Sequence, residues 1–109
     1  MPQNVEFTIT EATREIWEVL TNSSVDFTVE TGGVVVLADA PVGQVSINLP
    51  PVADNVDRMI TVKKIDSTSN GVVLNPNASE TIDGSTTKTI SVQYASLTVL
   101  SDGTEWHIL

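Results

Sequence analysis

The sequence predicts a mainly β fold, namely a small antiparallel β-sandwich or jelly-roll-like module that follows a short N-terminal arm. Apolar and polar residues alternate in several short runs, most cleanly from Val45 to Leu49. This is the period of a half-buried strand. Turn signals, among them Asp83-Gly84 and Asp102-Gly103, separate the runs. The 109 residues leave no room for crossover helices, which excludes a parallel α/β fold.

The first 32 residues are the predicted arm, and residues 33–109 are the predicted β-module. Alternation from Val5 to Ile9 predicts a short strand. Two alternatives stay open for Glu11–Leu20. One is a short helix capped by Thr10, with its apolar residues on one face. The other is a continuous β arm, because alternation resumes from Val25 to Val29.

Seven or eight short strands are expected from Gly33 onward. Asn70-Gly71 predicts a hairpin between two of them. Alternation changes parity near Ala95-Ser96, which predicts a kink or bulge within the last third of the chain. A final strand carries Trp106.

Composition restricts the partners that the chain can have. Fourteen acidic and five basic residues give a net charge of −9, which argues against nucleic acid as a partner. No run is long enough to cross a membrane, and the N-terminus lacks the pattern of a signal peptide. We therefore expect no membrane partner and synthesis in a cytoplasm. Cysteine is absent, so packing or oligomerisation has to stabilise the fold.

Six motifs follow one another after Val34, namely VSINLP (residues 45–50), TVKKID (61–66), LNPN (74–77), ETIDG (80–84), QYASLTVLSDG (93–103) and Trp106. Their order resembles a module of tailed-phage virion proteins, which include capsid-decoration, head-fibre and tail-fibre chains. The resemblance implies a trimeric or otherwise oligomeric β-module with a structural or attachment role, and it brings no catalytic residues. About thirty residues precede the module, so a compact protein on a surface is expected rather than a fibre shaft.

The residues that could carry chemistry do not predict an enzyme. His107 is the single histidine, so one chain cannot assemble a Ser-His-Asp triad or a multi-histidine metal site. Carboxylates three residues apart, such as Asp102 and Glu105, flank turns and are expected to be solvated or to cap those turns. No loop has the ligand spacing of an EF-hand. We expect no catalytic residue, no cofactor and no metal.

The function expected from the sequence is that of a phage virion structural protein, specifically a capsid-decoration (cement) protein. It would trimerise through its β-module, bind the major capsid protein and lie on the capsid surface. The alternative is a receptor- or carbohydrate-binding fibre module with Trp17, Tyr94 or Trp106 on its binding face. Candidate partner-binding residues in the arm are Phe7, Ile9, Ile16, Trp17 and Leu20. Candidate residues of the buried core and oligomer contact are Ile90, Val92, Leu97, Val99 and Trp106.

Overall fold

Two mixed β-sheets share one hydrophobic core in the computed structural model, which describes residues 15–20, 26–29 and 33–109. The five-stranded sheet has the order β1-β3-β5-β8-β9, and the four-stranded sheet has the order β2-β4-β6-β7. The mainly β prediction is confirmed. The strands are β1 (Glu15–Leu20), β2 (Asp26–Thr28), β3 (Gly33–Ala38), β4 (Val45–Asn48), β5 (Met59–Lys64), β6 (Val72–Asn75), β7 (Lys88–Ile90), β8 (Ser96–Ser101) and β9 (Trp106–Ile108), and one 3-10 turn spans Val52–Asp54.

The chain alternates between the two sheets from β1 to β6, so each strand pairs with the strand two places earlier. All four of these pairings, β1 with β3, β3 with β5, β2 with β4 and β4 with β6, are parallel. The three pairings that involve β7, β8 or β9 are antiparallel. The first six strands therefore wind around the core, and the last three close one edge of each sheet.

The prediction of an antiparallel module is wrong in this respect. A parallel pair needs a long crossover, which is usually a helix. Here a strand of the opposite sheet serves as the crossover, so parallel pairs form without helices. The Asn70-Gly71 hairpin is wrong for the same reason, because β5 and β6 lie in different sheets.

The helix predicted over Glu11–Leu20 is also wrong where the structure describes that segment. Residues 15–20 are strand β1, whose six residues pair in parallel with β3. Three of the six are Ile, Trp or Val, which favour strands. Residues 11–14 lie outside the described residues. The division at residue 32 stays a prediction, although β1 and β2 each pair with a strand of the module.

The core consists of alternate residues from both sheets, and β4 and β6 show this most clearly. In each of these strands buried and half-buried positions alternate, as the sequence period predicts. The parity change near Ala95-Ser96 corresponds to the passage from β7 in one sheet to β8 in the other. Core residues of the five-stranded sheet are Val36, Ala38, Ile60, Val62, Val99 and Trp106, and those of the four-stranded sheet are Val45, Ile47, Val72, Leu74 and Ile90.

Candidate functional site

The outward surface of β3, β5 and β8 in the five-stranded sheet is poor in charge, and we call it the outer face. It is formed by alternate residues that the sequence places between core residues, so the same period that builds the core also builds this surface. Thr61 and Thr98 lie opposite each other in β5 and β8 and share a hydroxyl–hydroxyl hydrogen bond of 2.8 Å. The outer face comprises Val35, Leu37, Met59, Thr61, Lys63, Ser96, Thr98 and Leu100.

Met59 and Lys63 occupy opposite ends of β5 on the outer face. The Met59 side chain is 53% exposed and has Leu100 as its register partner. At the other end, the Lys63 Nζ atom lies 5.5 Å from the centre of the Tyr94 ring, and Tyr94 is 64% exposed. A cation at this distance from a ring is attracted to its face. The outer face thus combines aliphatic and hydroxyl groups with a single lysine, and it borders Tyr94 in the β7–β8 turn and His107 in β9, the register partner of Leu100.

The outward positions of the four-stranded sheet have a different composition. Ser46 and Asn48 occupy them in β4, and Val73 and Asn75 occupy them in β6. Three of these four side chains are polar, so the two sheets present chemically different surfaces. Sequence reasoning missed the outer face because it searched for buried residues, although the alternation itself marks the outward residues of each strand.

The structure describes three of the five arm residues proposed to bind a partner. Ile16, Trp17 and Leu20 lie in β1, where their register partners are Val34, Val35 and Ala38. Phe7 and Ile9 lie outside the described residues. A role for the arm in binding therefore stays a prediction.

The candidate core residues divide into buried and exposed positions. Ile90, Val99 and Trp106 are buried, and Leu97 is partly buried against the core. Val92 is 67% exposed, so its expected burial is wrong. Strand β7 ends at Ile90, and Val92 lies in the turn that leads to β8. A role in oligomer contacts is untested for all five.

His107 lies in β9 between two carboxylates. Its Nε2 atom is 2.7 Å from Asp102 Oδ2, and its Nδ1 atom is 3.7 Å from Asp83 Oδ1. The hydrogen bond with Asp102 raises the pKa of the His107 imidazole and, together with the amide donors Thr104 and Glu105, lowers the pKa of Asp102 to about 2. The cluster joins the β8–β9 turn to the Asp83-Gly84 turn, where Glu105 Oε2 accepts a hydrogen bond from the Gly84 amide.

We expect the His107 imidazole to titrate with a midpoint above its unfolded value of about 6.5. Because the folded-state pKa is raised, the contribution of the pair to stability is complete below about pH 6.5 and is lost as pH rises through the folded pKa. NMR titration of the imidazole would measure the midpoint. Asp102→Asn should lower that midpoint, and an equal midpoint in the two proteins would contradict the proposed pairing.

A second polar cluster, centred on Lys64, is buried at the end of β5. Lys64 Nζ donates to Asp66 Oδ1 at 2.7 Å, and the two side chains are 0% and 7% exposed. The Ala40 amide also donates to Asp66 Oδ1, at 2.9 Å, and the Thr68 amide donates to Oδ2 at 3.0 Å. These bonds tie the β3–β4 connection to the β5–β6 loop. The cluster is fully paired and buried, so it stabilises the fold and has no open position for a substrate.

Within the described part of the chain, no group of three or more His, Cys, Asp or Glu side chains could hold a metal ion. The same residues include no helix with the length and apolar character needed to span a membrane. Comparison with protein-family models and with curated proteins found no match to this sequence.

Proposed function

We propose that this chain is a phage virion structural protein, most specifically a capsid-decoration protein that binds the major capsid protein on the outside of the shell. A protein that binds the assembled shell and not its separate subunits stabilises the shell by mass action. An oligomer can engage several subunits at once, so individually weak contacts combine through effective concentration. In this proposal the chain is not an enzyme and acts through contact area alone.

The observation that supports this proposal is the outer face. Exposed, weakly charged surfaces are the ones that proteins use for association, because covering them removes apolar area from water at little cost in desolvated charge. Met59, Leu37 and Tyr94 would supply apolar area to such a contact. We propose that copies associate through this face as a trimer. In this proposal the two sheets form the sandwich of each protomer. Only this two-layered arrangement is similar to a jelly roll.

The N-terminal segment is the proposed contact with the capsid, with Phe7, Ile9, Ile16, Trp17 and Leu20 as its apolar residues. Strand β1 belongs to the five-stranded sheet and β2 to the four-stranded sheet, so deleting either strand would disturb the fold. Residues 1–14 are therefore the part that can be removed without deleting a described strand.

A lysine at position 59 should separate the copies. We expect the wild-type protein to have about three times the 11.7 kDa mass of one chain and Met59→Lys to have the mass of one chain, because a buried unpaired ammonium is costly. Sedimentation equilibrium gives these masses. Val42→Lys is the matched control, since Val42 is 80% exposed and lies in the β3–β4 connection outside the outer face.

Binding to particles tests the proposed role itself. Wild-type protein should cosediment with particles of the phage that encodes the chain, whereas Met59→Lys should bind weakly. A chain lacking residues 1–14 should remain trimeric and bind more weakly than the wild type, because it loses Phe7 and Ile9 but keeps the other three apolar residues of the segment. A monomeric wild-type protein would overturn the outer-face contact, and a truncated protein that decorates particles as well as the wild type would overturn the contribution of Phe7 and Ile9.

A further inference from the structure

A groove lies where the parallel strands β2, β4 and β6 end, on the side of the molecule that the four-stranded sheet forms. It has a cavity volume of about 450 Å³, which lies within the range of small-ligand sites. The last residues of the three strands, Thr28, Asn48 and Asn75, are neighbours in register and line it. The parallel winding thus brings three equivalent strand ends into one row.

The polar groups along this row are only partly used by the protein. Asn75 Nδ2 donates to Asn48 Oδ1 over 3.4 Å, a long hydrogen bond. Among the described residues, the side-chain Nδ2 atom of Asn48 and the side-chain Oδ1 atom of Asn75 have no hydrogen-bond partner. One donor and one acceptor therefore remain available on adjacent strands of the groove.

The opposite wall is held in place by a buried asparagine. Asn55 is only 5% exposed. Its Nδ2 atom donates to the Pro51 carbonyl at 2.6 Å, and its Oδ1 atom accepts from Arg58 Nη1 at 2.7 Å. Both polar atoms of the Asn55 side chain are thus hydrogen-bonded, and these bonds hold the turn that contains Asp54. The exposed Asp54 carboxylate is part of the groove lining.

We propose that this groove binds a neutral polyhydroxylated ligand, that is, a saccharide. A sugar hydroxyl both donates and accepts hydrogen bonds, which matches side-chain amides that offer both functions and a carboxylate that accepts. Among the residues that the structure describes, the lining contains no Lys, Arg or His, and the chain carries a net charge of −9. Phosphate, sulfate and sialic acid are therefore disfavoured.

Two half-buried proline rings, Pro51 and Pro76, belong to the apolar part of the lining. Their C–H surfaces can pack against the C–H face of a sugar ring. The site therefore differs from the carbohydrate-binding face expected from the sequence. Trp106 is fully buried and cannot stack on a ligand, and neither it nor Tyr94 lines the groove. This inference is independent of the proposed capsid role.

The test uses the full chain on an array of neutral oligosaccharides ending in hexose or N-acetylhexosamine, together with sialylated and sulfated ones. We expect binding to members of the neutral set. Asn77, like Asp54, is an exposed residue of the lining. Calorimetric titration with the strongest of these ligands should then show that Asp54→Asn and Asn77→Ala each weaken binding by roughly fivefold, the effect of one lost or weakened hydrogen bond.

Two matched variants control for general effects on folding and charge. Asp57→Asn removes the same charge three residues away from Asp54, and asparagine tolerates the positive φ of 67° at that position. Gln44→Ala removes an exposed amide outside the groove. Both should change the affinity less than twofold. No binding of neutral oligosaccharides, preference for the anionic ones, or equal weakening by the groove and control variants would each overturn the proposal.

Discussion

Trp106→Ala should lower the free energy of unfolding by about 3–5 kcal/mol, the usual loss for a large aromatic side chain in a core. Trp106 is the largest fully buried side chain of the protein's described residues. Its backbone also joins β9 to the preceding loop, because its amide donates to the Thr81 carbonyl at 3.1 Å and its carbonyl accepts from the Asp83 amide at 2.9 Å. Urea denaturation followed by far-UV circular dichroism would measure the loss.

Trp106→Phe is the informative companion to this variant. The indole Nε1 atom is buried and has no hydrogen-bond partner in the described part of the molecule. Replacement by phenylalanine therefore removes no hydrogen bond and keeps most of the buried ring, so we expect less than half of the loss seen with alanine. Equal losses in the two variants would show that the indole nitrogen, rather than ring volume, determines the contribution of Trp106.

Asp66→Ala is the second substitution with a large expected effect, again about 3–5 kcal/mol. It leaves the Lys64 ammonium buried with one neutral acceptor, Thr68 Oγ1 at 3.3 Å. It also removes the acceptor of the Ala40 amide. The matched control is Lys63→Met, which changes the neighbouring lysine on the half-exposed outer face and should alter stability by no more than about 0.5 kcal/mol.

The Lys64–Asp66 pair also determines how the stability of the protein changes in acid. Burial alone would raise the pKa of the Asp66 carboxyl, but hydrogen bonds from the Lys64 and Thr68 side chains and from the Ala40 and Thr68 amides hold it well below its usual range. Its contribution to stability is therefore complete above the unfolded pKa of about 3.9 and is lost as pH falls through the folded pKa. Below about pH 4, the wild-type protein should lose stability more steeply than Asp66→Asn. Parallel slopes would contradict this assignment.

Local periodicity predicted most of the strands, although it left a helix open where β1 lies, and it did not predict how the strands pair. The alternation in residues 45–49 corresponds to β4 with its buried and half-buried positions, and Gly84 and Gly103 adopt the positive φ that the two Asp-Gly turns require. Pairing depends on which strands lie side by side, and a period of two is the same for parallel and antiparallel neighbours. The parallel winding of the first six strands could therefore not be predicted from this period.

The polar sites were beyond prediction because their members are distant in sequence. In sequence Lys64 resembles its half-exposed neighbour Lys63. Its burial is tolerated only because Asp66 receives further donors, one of them the Ala40 amide 26 residues away. The groove likewise depends on Asn48 and Asn75, which parallel pairing places side by side. Neither residue stands out in its own stretch of sequence.

Because the strands alternate between the sheets, two consecutive strands form a repeating unit that contributes one strand to each sheet. Asp26 pairs with Ser46, twenty residues further along the chain, and Glu15 pairs with Gly33 after eighteen. One such step adds a strand to each sheet and leaves the antiparallel closing strands untouched. The sequence contains a matching recurrence, because Glu6-Phe7-Thr8-Ile9 precedes Asp26-Phe27-Thr28-Val29 by the same twenty residues. Adding or removing one such step would therefore change the width of both sheets together.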